Sequence, residues 1–167
     1  MPRQSEYRSA SQFSADQIYA VMVDPEYLRT RLATIGGKGA ALLDHTADAD
    51  GARFRVQQGL ESKDLPQVVR NFLSGDIVIE RIEIWTRKEP GRYDGEAQVD
   101  IKGTPASAVG GMRLRDLDPS TSELVVRTDV TVRVPIIGGK IESVVAEQVK
   151  GLLRIETEFT LEWLATH

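Results

Sequence analysis

Two histidines, His45 and His167, are the imidazoles this chain offers for acid–base or metal chemistry, and they lie far apart, His167 being the last residue. No His-rich or carboxylate-loop pattern with metal spacing appears, so no metal site is expected, and His45 reads as decoration on a strand. Cysteine is absent, which removes thiolate nucleophiles, disulfides and cysteine-based metal sites together. There is no Gly-x-Ser-x-Gly, and a Ser–His pair would rest on His45 alone. Two Gly-Lys pairs suggest a phosphate loop and fail its pattern. Around Gly139-Lys140 the required Gly and Ser/Thr positions hold Val134 and Ile141, and around Gly37-Lys38 they hold Leu32 and Gly39. No catalytic residue and no cofactor is expected.

The polar residues with chemical potential sit instead inside apolar patterns. The run Ile79-Glu80-Arg81-Ile82-Glu83-Ile84-Trp85 cannot present one wholly apolar strand face. If Val78, Ile82 and Ile84 point inward, Glu80 joins them; if Ile77, Ile79 and Trp85 do, Arg81 and Glu83 follow. A buried charge must be paired or neutralised, so an inward one would contact a ligand or form half of an ion pair. Ionisable residues are rarely buried, and the preferred expectation is a bulge or sheet edge that leaves these charges in solvent. On the last helical stretch Gln148 lies on the apolar stripe between Val145 and Leu152. Gly151 beside it either widens a space or lets the helix approach a sheet closely. With Met112, these residues make the candidate ligand-binding set: Gln148, Gly151, Val145, Leu152, Glu80, Arg81, Trp85 and Met112. Each apolar one has plain core packing as its alternative.

These positions need elements to hold them. The longest runs from Gly139 to Trp163, where Ile141, Val144, Val145, Leu152, Ile155 and Phe159 recur at helical spacing and Glu142, Glu147, Lys150, Arg154, Glu156 and Glu158 fall on the other faces. Gly138-Gly139 reads as the sharp turn into it. Upstream, Glu6–Phe13 reads as a first strand. Ser14-Ala-Asp-Gln17 is a capping box and Asp24-Pro25 a second helix start, giving two short helices that end at Gly36-Gly37-Lys38-Gly39. Strands are expected over 38–46 and 52–60 across an Asp48–Gly51 turn, over 76–88, over 96–102 with Ala97, Val99 and Ile101 inward, over 107–117 with a bulge at Gly110-Gly111, and over 123–134. Leu65–Leu73 has the spacing of a short helix. The predicted fold class is α+β: an antiparallel sheet of about seven strands, in the order β-α-α-β6-α, curved around a long C-terminal helix.

The 167 residues suit one domain spanning 1–167. A net charge of −4, spread without runs, argues against a nucleic-acid binder. No stretch approaches a membrane span and the first residues lack an apolar signal core, so a cytoplasmic protein, monomer or homodimer, is expected.

The element order, the Ser14–Pro25 segment after a first strand and the closing helix resemble the START-like, or helix-grip, superfamily, which includes polyketide cyclase-like and birch-pollen-allergen-like proteins. Val134-Pro-Ile-Ile-Gly-Gly-Lys-Ile-Glu142 and Phe159-Thr-Leu-Glu-Trp163 are further similar to an actinobacterial domain family of uncharacterised function. The resemblance carries no catalytic motif. It implies a cavity between sheet and closing helix that takes a small hydrophobic or lipid-like molecule. Two other functions fit the same residues: a cyclase- or hydratase-type enzyme with an acid or base in that cavity, and a protein-interaction module with a filled core.

Overall fold

The structure is a computed structural model that describes residues 3–71 and 75–167. Its seven strands are β1 (Arg3–Ser11), β2 (Ala41–Ala47), β3 (Gly51–Leu60), β4 (Ile77–Glu89), β5 (Arg92–Ile101), β6 (Ala106–Asp118) and β7 (Thr121–Val132). They form one antiparallel sheet in the order β1-β7-β6-β5-β4-β3-β2. Strands β2 to β7 are a meander of sequence neighbours, with α3 in the long connection between β3 and β4, while β1 pairs with β7 at the opposite edge from β2 (Tyr7 opposite Val126). Helices α1 (Ala15–Met22), α2 (Pro25–Ile35) and the short α3 (Gln67–Arg70) sit at the ends of the sheet, and α4 (Gly138–Thr166) lies along its inner face.

The local signals explain most of these bounds. Ser14 accepts from the Gln17 N–H while Gln17 reaches back to Ser14, a complete capping box. Asp24 caps α2 through the Tyr27 N–H, with Pro25 in the first turn where no backbone donor is needed. Asp48 closes the β2–β3 turn by accepting from Asp50 and Gly51. Along β7, Val126, Thr128, Val130 and Val132 are buried on the inner face, and β5 turns Ala97, Val99 and Ile101 the same way. Helix α1 is tied down by polar contacts as well as apolar ones: the Tyr93 hydroxyl donates to Asp16 (2.6 Å) and Tyr19 stacks on Tyr93.

Four expectations need correction. Strand β6 runs through Gly110 and Gly111 without a register break; its irregularity lies between Asp116 and Asp118. The turn before α4 is made by Pro135–Ile137, with Ile136 rather than a glycine at positive φ (73°). The helix expected over Leu65–Leu73 reduces to a 3-10 turn at Ser62–Asp64 followed by α3, with Phe72 and Leu73 outside the described residues. On α4, Ile155 faces solvent at 44% exposure, whereas Glu142 and Glu156, read as outward, are buried at 3% and 9%. Glu142 is held because its carboxylate accepts the Val132 N–H at 2.8 Å, anchoring the start of α4 to the end of β7.

The Gly36–Gly39 loop is pinned to the end of β3. Gly59 N–H donates to the Gly36 carbonyl (2.9 Å), and a Cβ on Gly37 would stand 2.1 Å from the Gly59 oxygen. Glycine is needed here for close backbone approach and for the positive φ of 80°.

Candidate functional site: a buried ion pair between two apolar cavities

Strand β4 settles its parity through an unbroken register with β3 and β5 over Ile79–Thr86. Ile77, Ile79 and Trp85 face inward, so Arg81 and Glu83 do too. The bulge or edge that would have put these charges in solvent does not occur. Glu80 is correspondingly on the outer face, paired with Arg55 (2.9 Å) and Lys102 (3.0 Å), and lines neither of the cavities beneath α4. Those partners hold its carboxyl below the ordinary carboxylate range.

Opposite β4, α4 delivers Glu156. Arg81 meets it with a two-pronged contact, Nη1 to Oε1 at 3.1 Å and Nη2 to Oε2 at 3.0 Å, the bidentate geometry that suits a guanidinium and a carboxylate. Gln58 on β3 adds a donor to Glu156 Oε2 at 3.3 Å. Arg81 Nε lies 3.2 Å from Glu83 Oε2, an ion-pair contact without hydrogen-bond alignment, and Glu83 Oε1 accepts the Trp85 indole N–H at 3.1 Å. A second guanidinium, Arg31 of α2, is also buried and lies over the Tyr27 ring, 5.7 Å from its centre. The Tyr27 hydroxyl in turn bonds Thr160, whose own hydrogen goes to the Glu156 carbonyl (3.0 Å).

The electrostatics follow from this packing. Burial alone would push the Glu156 carboxyl up; Arg81, then Arg31, overrule it and hold it at about 2. Burial works against the charge on Arg81 as well, and Glu156 and Glu83 raise it above the ordinary arginine value. Both groups are therefore ionised across the physiological range. Burial pushes the Tyr27 phenol up, so it stays protonated as a hydrogen-bond donor. The arrangement is suited to holding charge in place and not to moving protons near neutral pH.

The ion pair stands as a partition between two partly open apolar cavities beneath α4. The cavity on the α1 side, about 110 Å³, is lined by Met22, Arg31, Trp85, Met112 and Leu153 among others. That on the α3 side, about 130 Å³, is lined by Leu65, Ile79, Val145, Gln148 and Leu152 among others. Arg81, Val99, Ala108, Val149, Leu153 and Glu156 border both. Six of the eight sequence candidates thus reach this region: Val145, Gln148 and Leu152 on one side, Trp85 and Met112 on the other, Arg81 on both. Gly151 lines neither cavity, and a Cβ built on it would meet nothing within 4 Å, so it neither widens a cavity nor allows a close approach to the sheet. Glu156, Arg31 and Gln58 were missed. A larger hollow of about 500 Å³ on the outer sheet face is rimmed by Arg8, Arg113, Arg115 and Glu123 and opens to water, so it would desolvate a ligand poorly.

His45 is structural: its Nε2–H donates to the Val23 carbonyl at 2.6 Å and its ring stacks with Phe54, tying β2 to the end of α1. Among the described residues no group of three metal-ligating side chains gathers, and no helix is long and apolar enough to cross a membrane.

A curved seven-stranded antiparallel sheet gripping a long C-terminal helix, with cavities between them, defines the helix-grip fold among α+β proteins. Solved structures of this shape include norcoclaurine synthase from Thalictrum flavum (TM-score 0.65, 11% identity, 100% of this chain and 88% of that one). They also include a conserved protein from Geobacillus kaustophilus (0.62, 13%, 98% and 96%) and the Zhui aromatase/cyclase from Streptomyces sp. R1128 (0.57, 11%, 98% and 92%). At these identities the likeness establishes the fold. Within that class, residues 6–164 match the profile described as protein of unknown function (DUF2505), and the chain belongs to that family. Uncharacterized proteins of Mycobacterium tuberculosis and Mycobacterium bovis are each 25% identical to it over 173 residues, covering 100% of this chain and 99% of theirs.

Proposed function

We propose that this protein binds a small, largely apolar ligand in the space between its sheet and α4. The supporting observation is the pair of apolar cavities on either side of the Arg81–Glu156 pair. Apolar walls stabilise a ligand by roughly 25 cal/mol for each Å² removed from water, and the polar groups at the walls, Arg81 on the partition, Arg31 on the α1 side and Gln148 on the α3 side, set its orientation. Both lobes are smaller than the roughly 300 Å³ at which drug-sized pockets begin. Each lobe therefore suits a compact ligand, and a longer one would have to displace the partition.

An enzymatic role in the same cavity has less behind it. The fold neighbours named as a synthase and an aromatase/cyclase share only the fold with this chain, and its most perturbed buried carboxyl is a permanently ionised ion-pair partner rather than an acid poised near neutrality.

Native mass spectrometry of gently purified protein, followed by organic extraction, tests the binding reading. A reproducible bound species is expected, and Val149→Trp, which places an indole where both lobes meet, should abolish it while leaving the fold intact by circular dichroism. Failure to find a bound mass or saturable uptake of any small aromatic or aliphatic probe would refute the reading.

A further inference from the structure

We propose that the α1-side cavity receives a carboxylate, so that the ligand is an amphipathic acid with a compact apolar body and Arg31 as its anchor. This rests on the binding reading above.

Arg31 is 5% exposed and lines that cavity. Among the described residues it takes part in no ion pair within 4 Å, and its Nε and Nη2 are buried atoms with no hydrogen-bond partner. These two nitrogens are not an arbitrary pair. They lie on the same edge of the planar guanidinium, with their N–H bonds side by side, and that edge matches the two oxygens of a carboxylate. The neighbouring carboxylates are already engaged. Glu156 is chelated by Arg81 and bonded by Gln58, and Glu83 is held by Arg81 and the Trp85 indole. Arg31 thus borders an apolar cavity while two of its donors are unmatched, and an unmatched buried donor is costly. A carboxylate entering there forms two charge-assisted hydrogen bonds at once.

The remaining walls specify the body. Met22, Trp85, Met112, Val126 and Leu153 offer aliphatic, thioether and aromatic surface. At about 110 Å³ the space is smaller than the ~150 Å³ cavity known to hold a benzene molecule, so a short aliphatic chain is the matching size.

Three probes of one skeleton separate the possibilities: butanoate, butanamide and butan-1-ol, titrated at pH 7 into the full chain by calorimetry and ligand-observed NMR. The acid should bind roughly ten- to a hundredfold more tightly than the alcohol. Arg31→Met keeps an apolar stem of similar length; it should abolish the preference while the alcohol still binds, and Arg31→Lys should keep part of it. The probe comparison on the unchanged protein does not depend on either variant folding. An acid no tighter than the alcohol, an amide equal to the acid, or a preference that survives Arg31→Met would each overturn the anchor and leave the apolar-cavity reading standing. Failure of all three probes to bind would overturn both.

Discussion

Replacing Glu156 by leucine should destabilise the protein far more than the change in size implies. In the parent, the Glu156 carboxylate receives two bonds from Arg81 and one from Gln58 at 9% exposure. Leucine leaves the Arg81 and Arg31 guanidiniums buried with Glu83 as the sole remaining carboxylate of the cluster. Removing one partner of a buried pair typically costs about 3–5 kcal/mol. With a urea slope of about 2 kcal/mol per M for a domain of this size, the unfolding midpoint should fall by about 2 M. The double variant Arg81→Met/Glu156→Leu removes both charges and restores balance with apolar groups of similar volume, so it should recover most of the loss or exceed the parent by about 1–4 kcal/mol. Urea denaturation followed by tryptophan fluorescence, with Trp85 beside the cluster, reads all four corners of the cycle. A single variant within about 1 kcal/mol of the parent, or a double as unstable as the sum of the singles, would refute the claim that the pair is a tightly coupled buried unit.

Two further outcomes follow from the same geometry. The Glu156 carboxyl is held at about 2 in the folded state against 4.5 ordinarily, so its contribution is fully present above about pH 4.5 and is lost as pH falls toward 2. The linkage amounts to about 3 kcal/mol and should appear as a steep acid limb in stability between those values, which Arg81→Met/Glu156→Leu removes. Gly37→Ala places a methyl 2.1 Å from the Gly59 oxygen in a backbone conformation of φ 80°, and should lower Tm by roughly 4–8 °C, a loss of about 2 kcal/mol. Because that loop lines neither cavity, probe binding measured below the transition should be unchanged.

What the sequence made legible was set by local chemistry. The caps at Ser14 and Asp24, the alternation in β5 and β7 and the extent of α4 are written in neighbouring residues, and the structure reproduces them to within a few positions. The strand phase of residues 77–85 was readable as a choice between two parities. Which one holds depends on whether a counter-charge waits across the interior, and that partner, Glu156, stands 75 residues away. A signal for it did exist. Glu156 is four residues after Leu152 and eight after Gln148, so it shares their helical face, but a stripe drawn through apolar residues alone passes it over and admits the exposed Ile155 instead. Arg31 was invisible for a similar reason: between Leu28 and Leu32 it completes an inward arc of α2, and only the three-dimensional packing shows that it borders a cavity. Glu142 was missed because the Val132 N–H that it satisfies lies at the end of a strand, where the need for an acceptor emerges only once the ladder stops.

The pairing of β1 with β7 bears on how the chain acquires this shape. Arg3 aligns with Val130 and Ser11 with Ser122, so the first strand made has its hydrogen-bonding neighbour among the last. During synthesis the β2–β6 hairpins can zip as each emerges, through contacts close in sequence. The leading segment must wait, its backbone amides held by water, until β7 clears the ribosome. Contacts of such long sequence separation slow folding, because the intervening loop must be ordered before they reward it. Closure of the sheet by β1 and docking of α4 are then late events, and the interior that they cover is open to small molecules until those steps.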